Sequence, residues 1–191
     1  MHIIKVMFGS IALMKRKRII QALLCILVFL SYPVFGARGG GGLSHGEKKN
    51  AVYRMYSGYK VKFPTVSDIT VEETLELIKS GRVVLVDIRK PDEMSVSMLP
   101  DAVVETDFEN NPERYGGLTV VAYCTIGYRS GLFAAKMGKM GMDVLNLKGG
   151  ILAWILEGGR VYAPGGVAVN RVHVYGKKWD LAPAGFESVM F

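Results

Sequence analysis

Apolar and polar positions change period several times along this chain, and each change marks an element. Apolar residues recur at Val71, Leu75 and Ile78, one face of a helix, and the pattern stops at Gly81. Thr70, with Glu73 three residues on, is a capping box at its start. "VVLVD" (83–87) has no alternation, which suits a strand buried on both faces. "KPDEM" (90–94) predicts a turn with one helical turn, and "AVVE" (102–105) a second strand. The polar "DFENNPERYGG" (107–117) predicts a short helix with loops, and "LTVVAY" (118–123) another buried strand. Leu132, Phe133, Ala135, Met137 and Met140 then give a helix an apolar face that ends at Gly141. "DVLNL" (143–147) reads as a strand, and "ILAWILEGG" (151–159) as a short helix in which Trp154 is a core residue. Alternating strands and helices predict an α/β fold, a parallel sheet with helices on both faces.

The two ends lack that regularity. "GGGGLSHGEKKN" (39–50) reads as a flexible linker, and residues 51–64 carry aromatics at irregular spacing with no assigned element. Residues 161–191, rich in Gly, Pro and scattered aromatics, are expected to wrap the domain. Further upstream, "KRKR" (15–18) precedes the uncharged apolar run Ile19–Ala37. A basic cluster, an apolar run and a small-residue end describe a secretory signal over residues 1–36, with Val34 and Gly36 fitting cleavage after Gly36. Met14 stands where such a signal would start, making residues 1–13 an upstream extension. The rival reading is an uncleaved membrane anchor, since the run is about long enough to span a bilayer. Pro33 favours cleavage over a continuous helix. Both readings export the domain, to the periplasm if cleaved, because the positive cluster stays inside.

This division changes the meaning of the net charge of +7. Five of the 24 basic groups lie in residues 1–37, which hold no acidic group. The remainder is nearly balanced, 19 basic against 17 acidic. A basic balance that comes from a leader does not indicate nucleic acid, and no aromatic-basic stripe is present, so that partner class is discarded.

Of two cysteines, Cys25 lies in the leader, and Leu24 before it is too large for a lipoprotein site. Cys124 therefore has no internal disulfide partner, and an unpaired thiol in an exported protein needs a reason. The bland reading is a small buried hydrophobe. The neighbours argue otherwise. Cys124 follows a central strand, where ligands gather in open α/β sheets. Successive loop N–H groups can form an anion nest, the following helix adds its N-terminal partial charge, and Arg129 adds a full one. Gly127 lets the loop curl over the sulfur. All of these favour a nucleophilic thiolate that also holds an anion.

"VVLVDIRKPDEM", "CTIGYRS" and "LNLKGGILAWILEGG", in this order, resemble the rhodanese-like domain across roughly residues 65–160. The resemblance implies a sheet of about five parallel strands flanked by helices. It implies a single-domain sulfurtransferase with Cys124 as nucleophile, taking sulfane sulfur from thiosulfate or polysulfide as a persulfide and passing it to cyanide or a thiol, small or on a protein. In that reading Thr125, Ile126, Gly127, Tyr128, Arg129 and Ser130 bind the persulfide and the anionic donor. Asp87, Arg89 and Glu93 brace the loop through ion pairs, and neither cofactor nor metal takes part. The chain departs from the family at "SMLPDA" (97–102), where only Pro100 and Ala102 match the usual Gly-His-Ile-Pro-Gly-Ala. Its loop also holds one Arg and no Lys, which leaves polysulfide or a protein persulfide as natural donor. Two further classes stay open: a non-enzymatic persulfide carrier or sensor using the same thiol, and a phosphatase or arsenate reductase. The last is disfavoured because "CTIGYR" is one residue shorter than the Cys-x5-Arg of phosphatase loops. His173, with no partner motif, and the lysines of "YGKKW" (175–179) are read as structural and solvated.

Overall fold

The computed structural model describes residues 42–191. The expected leader and its cleavage point lie outside them. Among the described residues no helix is long and apolar enough to cross a membrane.

Helix α1 (His45–Lys60) corrects the flexible-linker reading of residues 39–50 over its residues 45–50 and assigns most of the region after it. Ser44 caps it through the Glu47 N–H, and the Glu47 carboxylate returns to the Ser44 N–H, the same device found at Thr70. Only Val52 and Tyr56 of this helix are buried, too few to print a helical period on the sequence. A two-residue strand β1 (Asp68–Ile69), unassigned from sequence, precedes α2 (Val71–Lys79). Then follow β2 (Val83–Asp87), α3 (Pro91–Val96), β3 (Val103–Val104), α4 (Glu105–Asn110), β4 (Thr119–Tyr123), α5 (Tyr128–Lys139), β5 (Val144–Leu147) and α6 (Gly150–Leu156). Strand β3 is shorter than "AVVE" suggested because Glu105 already begins α4.

The five strands form one parallel sheet in the order β1-β5-β4-β2-β3, which puts β4 in the middle. Val84, Leu85 and Val86 of β2 and Val121 and Ala122 of β4 are buried on both sheet faces, as uninterrupted apolar runs require. On α5 the buried stripe is Ser130, Phe133, Ala134 and Met137. Leu132 and Met140, expected on that face, are exposed. The 3.6-residue period carries Leu132 away from the sheet once Phe133 and Met137 face it, and Met140 is the C-cap residue, beyond the last turn that packs on the sheet. Trp154 is fully buried, its ring N–H donating to the Arg160 carbonyl at 2.8 Å.

Beyond α6, β6 (Val161–Ala163) and β7 (Val167–Val169) form a hairpin, and β8 (Arg171–His173) pairs in parallel with β9 (Glu187–Val189). This segment is stitched to the loop after α3. Met98 and Tyr162 exchange backbone hydrogen bonds of 2.8 and 2.9 Å, and Ser97 Oγ donates to the Arg171 carbonyl at 2.8 Å. The "SMLPDA" departure is accommodated here. Asp101 adopts φ +51°, a conformation glycine takes without strain and aspartate tolerates better than most residues.

Candidate active site

Cys124 leaves the carboxyl end of the central strand β4, and the next four residues reach the start of α5 at Tyr128. The loop is tight because Gly127 takes φ +100°. A side chain there would also strike the Tyr56 ring of α1, whose nearest atom lies 2.7 Å from a Cβ position. The turn brings the Gly127 N–H to the Cys124 Sγ at 3.2 Å, a donor aimed at the sulfur.

Three supports hold this loop. Below it, the first N–H groups of α6 take its carbonyls: Ile151 N donates to Cys124 O at 2.9 Å and Leu152 N to Thr125 O at 3.2 Å. Gly150 makes that approach possible, since a Cβ there would lie 2.3 Å from the Cys124 carbonyl oxygen. On one side, Asn146 of β5 donates to the Gly127 carbonyl at 3.0 Å and to the Tyr56 hydroxyl at 3.1 Å, while Ser130 Oγ donates to Asn146 Oδ1 at 2.7 Å. The Tyr56 hydroxyl in turn donates to Asp68. Burial, with Asp68 beside it, raises its pKa well above the ordinary phenol value.

The third support is ionic. Arg129 forks onto Glu93 of α3, Nη1 to Oε2 at 2.6 Å and Nη2 to Oε1 at 2.8 Å, and Nη2 also reaches Thr125 Oγ1 at 3.2 Å. Glu93 further accepts the Lys90 N–H at 3.1 Å. Burial works against its charge, but the Arg129 fork and the Lys90 N–H outweigh burial and hold the carboxyl at about 2. Behind Glu93 stands His173, its Nδ1 3.5 Å from Oε1. Burial lowers the ring's pKa against the pull of Glu93, and Nδ1 accepts the Tyr175 N–H at 3.3 Å. The imidazole is therefore neutral at neutral pH, and the contact is not an ion pair. Asp87 and Arg89 form a separate, fully buried pair, Nη2 to Oδ2 at 2.7 Å, joined by the Tyr123 hydroxyl at 2.5 Å from Oδ2. That pair ties the ends of β2 and β4 together and, through Arg89 Nη2 to Ser97 O at 2.5 Å, the loop after α3.

The residues singled out from sequence thus divide. Gly127 offers its N–H to sulfur, and Thr125, Ile126, Tyr128 and Arg129 line a cleft of about 320 Å³ over Cys124. Ser130 turns its hydroxyl to Asn146 instead. Asp87 and Arg89 sit in one ion pair and Glu93 in another, the second directly on the loop. The sequence reading passed over Tyr56, Tyr59, Asn146, Tyr175 and Trp179, and it took His173 as structural. Tyr59, Tyr175 and Trp179 line the cleft, and the others stand behind its loop. The one sequence signal for the cleft was the aromatic pair in "YGKKW", overshadowed by its lysines.

An α/β sheet with a cysteine curled at the end of its middle strand, the one cysteine among the described residues, makes this a thiol-centred α/β domain. The chain belongs to the rhodanese-like family: residues 70–157 match its Rhodanese-like domain. A sulfurtransferase of Allochromatium vinosum is 40% identical over 89 residues, which cover 44% of this chain and 82% of that protein. Among solved structures, a rhodanese-related protein from Thermoplasma volcanium aligns with TM-score 0.44 at 21% identity, over 50% of this chain and 96% of that one. Thiosulfate sulfurtransferase from Pseudomonas aeruginosa aligns with TM-score 0.47 at 14% identity, over 62% of this chain and 24% of that one.

Proposed function

We propose that the protein is an exported sulfurtransferase that carries sulfane sulfur as a persulfide on Cys124. The observation that carries this reading is the position of Cys124 Sγ on the floor of an open cleft, with the Gly127 N–H pointing at it. In the first step the thiolate attacks the sulfane sulfur of a donor X–S. The Sγ–S bond forms, the X–S bond breaks, and X leaves with the electron pair, as sulfite from thiosulfate or as a shortened chain from polysulfide. In the second step an acceptor thiolate, or cyanide, attacks the outer sulfur and Cys124 leaves as thiolate. Both leaving groups depart as anions, so no general acid is required. The loop N–H groups and the helix N-terminus of α5 offset the charge on the outer sulfur. The Arg129–Glu93 fork keeps the loop in shape during both steps.

The Cys-x4-Arg loop supports sulfur over phosphate, because Arg129 spends both Nη groups on Glu93 and leaves a tetrahedral oxyanion without a fork to bind. A carrier or sensor would use the same persulfide without turnover. The test has two readouts. Treatment with thiosulfate or polysulfide should add the mass of one sulfur atom to Cys124 and nothing to Cys124→Ser, which should keep its thermal melt. Steady-state transfer to cyanide should be ping-pong in the wild type and absent in the variant. Persulfide formation without turnover would mark a carrier, and no added sulfur would end the reading.

A further inference from the structure

The cleft over Cys124 is walled by aromatic rings from three distant parts of the chain. Tyr59, from α1, and Tyr128, at the start of α5, have ring centroids 5.2 Å apart. Tyr175 and Trp179, from the C-terminal segment, meet edge to face at 5.5 Å. Ile126 adds an aliphatic floor beside the sulfur. Among the described residues, Arg129 is the only charged one lining the cleft, and its charge is already met by the Glu93 carboxylate on one side and the Tyr175 ring, 5.3 Å from Cζ, on the other. With Cys124 as thiolate, the groups around the sulfur sum to a negative charge. A small dianion entering here loses water and meets no uncompensated cation, whereas an apolar group trades water for ring faces.

We propose that the preferred donor is an organic sulfane-sulfur compound whose apolar, best aromatic, group R packs between the Tyr59/Tyr128 and Tyr175/Trp179 pairs. This rests on the persulfide reading of Cys124 and names its substrate class. For a hydropersulfide R–S–SH the step balances without any further reagent. The Cys124 thiolate attacks the terminal sulfur, the Sγ–S bond forms, the R–S to S bond breaks, and R–S⁻ leaves with the electron pair. The cleft, about 320 Å³, is within the range that buries small organic ligands, and the bulk of the leaving group stays on the ring walls while sulfur moves below it.

Two thiosulfonates test this at constant charge and constant leaving-group type. Benzenethiosulfonate and methanethiosulfonate are both monoanions that leave as sulfinates, and thiosulfate serves as the dianion. Each donor's kcat/KM is divided by its rate with free cysteine, and persulfide on Cys124 is read by mass in parallel. The wild type should favour the benzene over the methane compound by about ten-fold or more, the scale of discrimination a hydrophobic pocket supplies, with thiosulfate the poorest. That ratio should fall towards one in Trp179→Leu and Tyr175→Ala and be kept in Tyr175→Phe. A wild-type ratio near one, a ratio unmoved in both wall variants, or thiosulfate as best donor would overturn the proposal and leave the sulfurtransferase reading standing. Sulfur loading by none of the three donors would overturn both.

Discussion

At the scale of single residues, the shape of the cysteine loop rests on a carboxylate that lies outside it. Glu93 is buried, yet it stays ionised because Arg129 and the Lys90 N–H supply what water would. Its folded value of about 2 lies below the ordinary carboxylate value of 4.5. The stability it contributes is therefore present in full above about pH 4.5 and drains as pH falls towards 2. Glu93→Gln should lose about 2–3 kcal/mol at neutral pH, since it weakens hydrogen bonds to a charged partner that keeps most of its burial. The gap between wild type and variant should narrow on going from pH 7 to pH 3. Denaturant midpoints at the two pH values check this, and a gap that widens in acid would contradict the assigned role. His173 contributes with the same sign: its pKa is depressed, so acid must charge a buried ring and destabilises the fold.

At the scale of elements, the α6 N-terminus supports the cysteine loop from below, and the Gly-Gly pair in "LKGG" is what lets it approach. Gly149 and Gly150 have φ of +81° and +57°, and at Gly150 the left-handed backbone coincides with crowding against Cys124 O. Gly158, at φ +85°, has the same backbone requirement with open space around it. Comparing the two isolates the contact. Gly158→Ala should cost only the left-handed penalty, about 1–2 kcal/mol, with sulfur transfer retained. Gly150→Ala should cost more in a thermal melt and should lower transfer at least ten-fold, because α6 cannot move back without releasing the Ile151 and Leu152 hydrogen bonds to the loop. Equal losses in the two variants would remove α6 as a support for the site.

At the scale of the whole molecule, the segments flanking the family match complete the site. Helix α1 brings Tyr56 against Gly127 and Tyr59 to the cleft, and the C-terminal segment brings His173 to Glu93 and two rings to the wall. The same rhodanese-like frame is thereby given a cleft of its own shape, as happens when function is set by what surrounds a fold. We propose that residues 1–36 act as a leader and so set where this chemistry takes place. Protein recovered from a native-like host should begin at Ala37 by N-terminal sequencing. A chain that retains "KRKR" and fractionates with membranes would instead be anchored.

Features whose physics is local could be read from the sequence. The Thr70–Glu73 capping box, the unbroken apolar runs of β2 and β4, and the cysteine-to-helix loop each act within a few residues, so their patterns survive in one dimension. The α/β fold and the place of Cys124 at the end of a middle strand followed from them. The Ser44–Glu47 box was equally local but went unread, because a Gly-rich run before it and only two buried residues after it hid the helix. The tertiary structure alone decided that Leu132 and Met140 face water, that Asn146 and Tyr56 hold the loop, and that Glu93 takes both ends of the Arg129 fork. It also decided that Tyr59 and Tyr175 share one cleft. Each of these depends on which surfaces meet when distant segments pack, and side-chain periodicity records only that a face is buried, not what buries it.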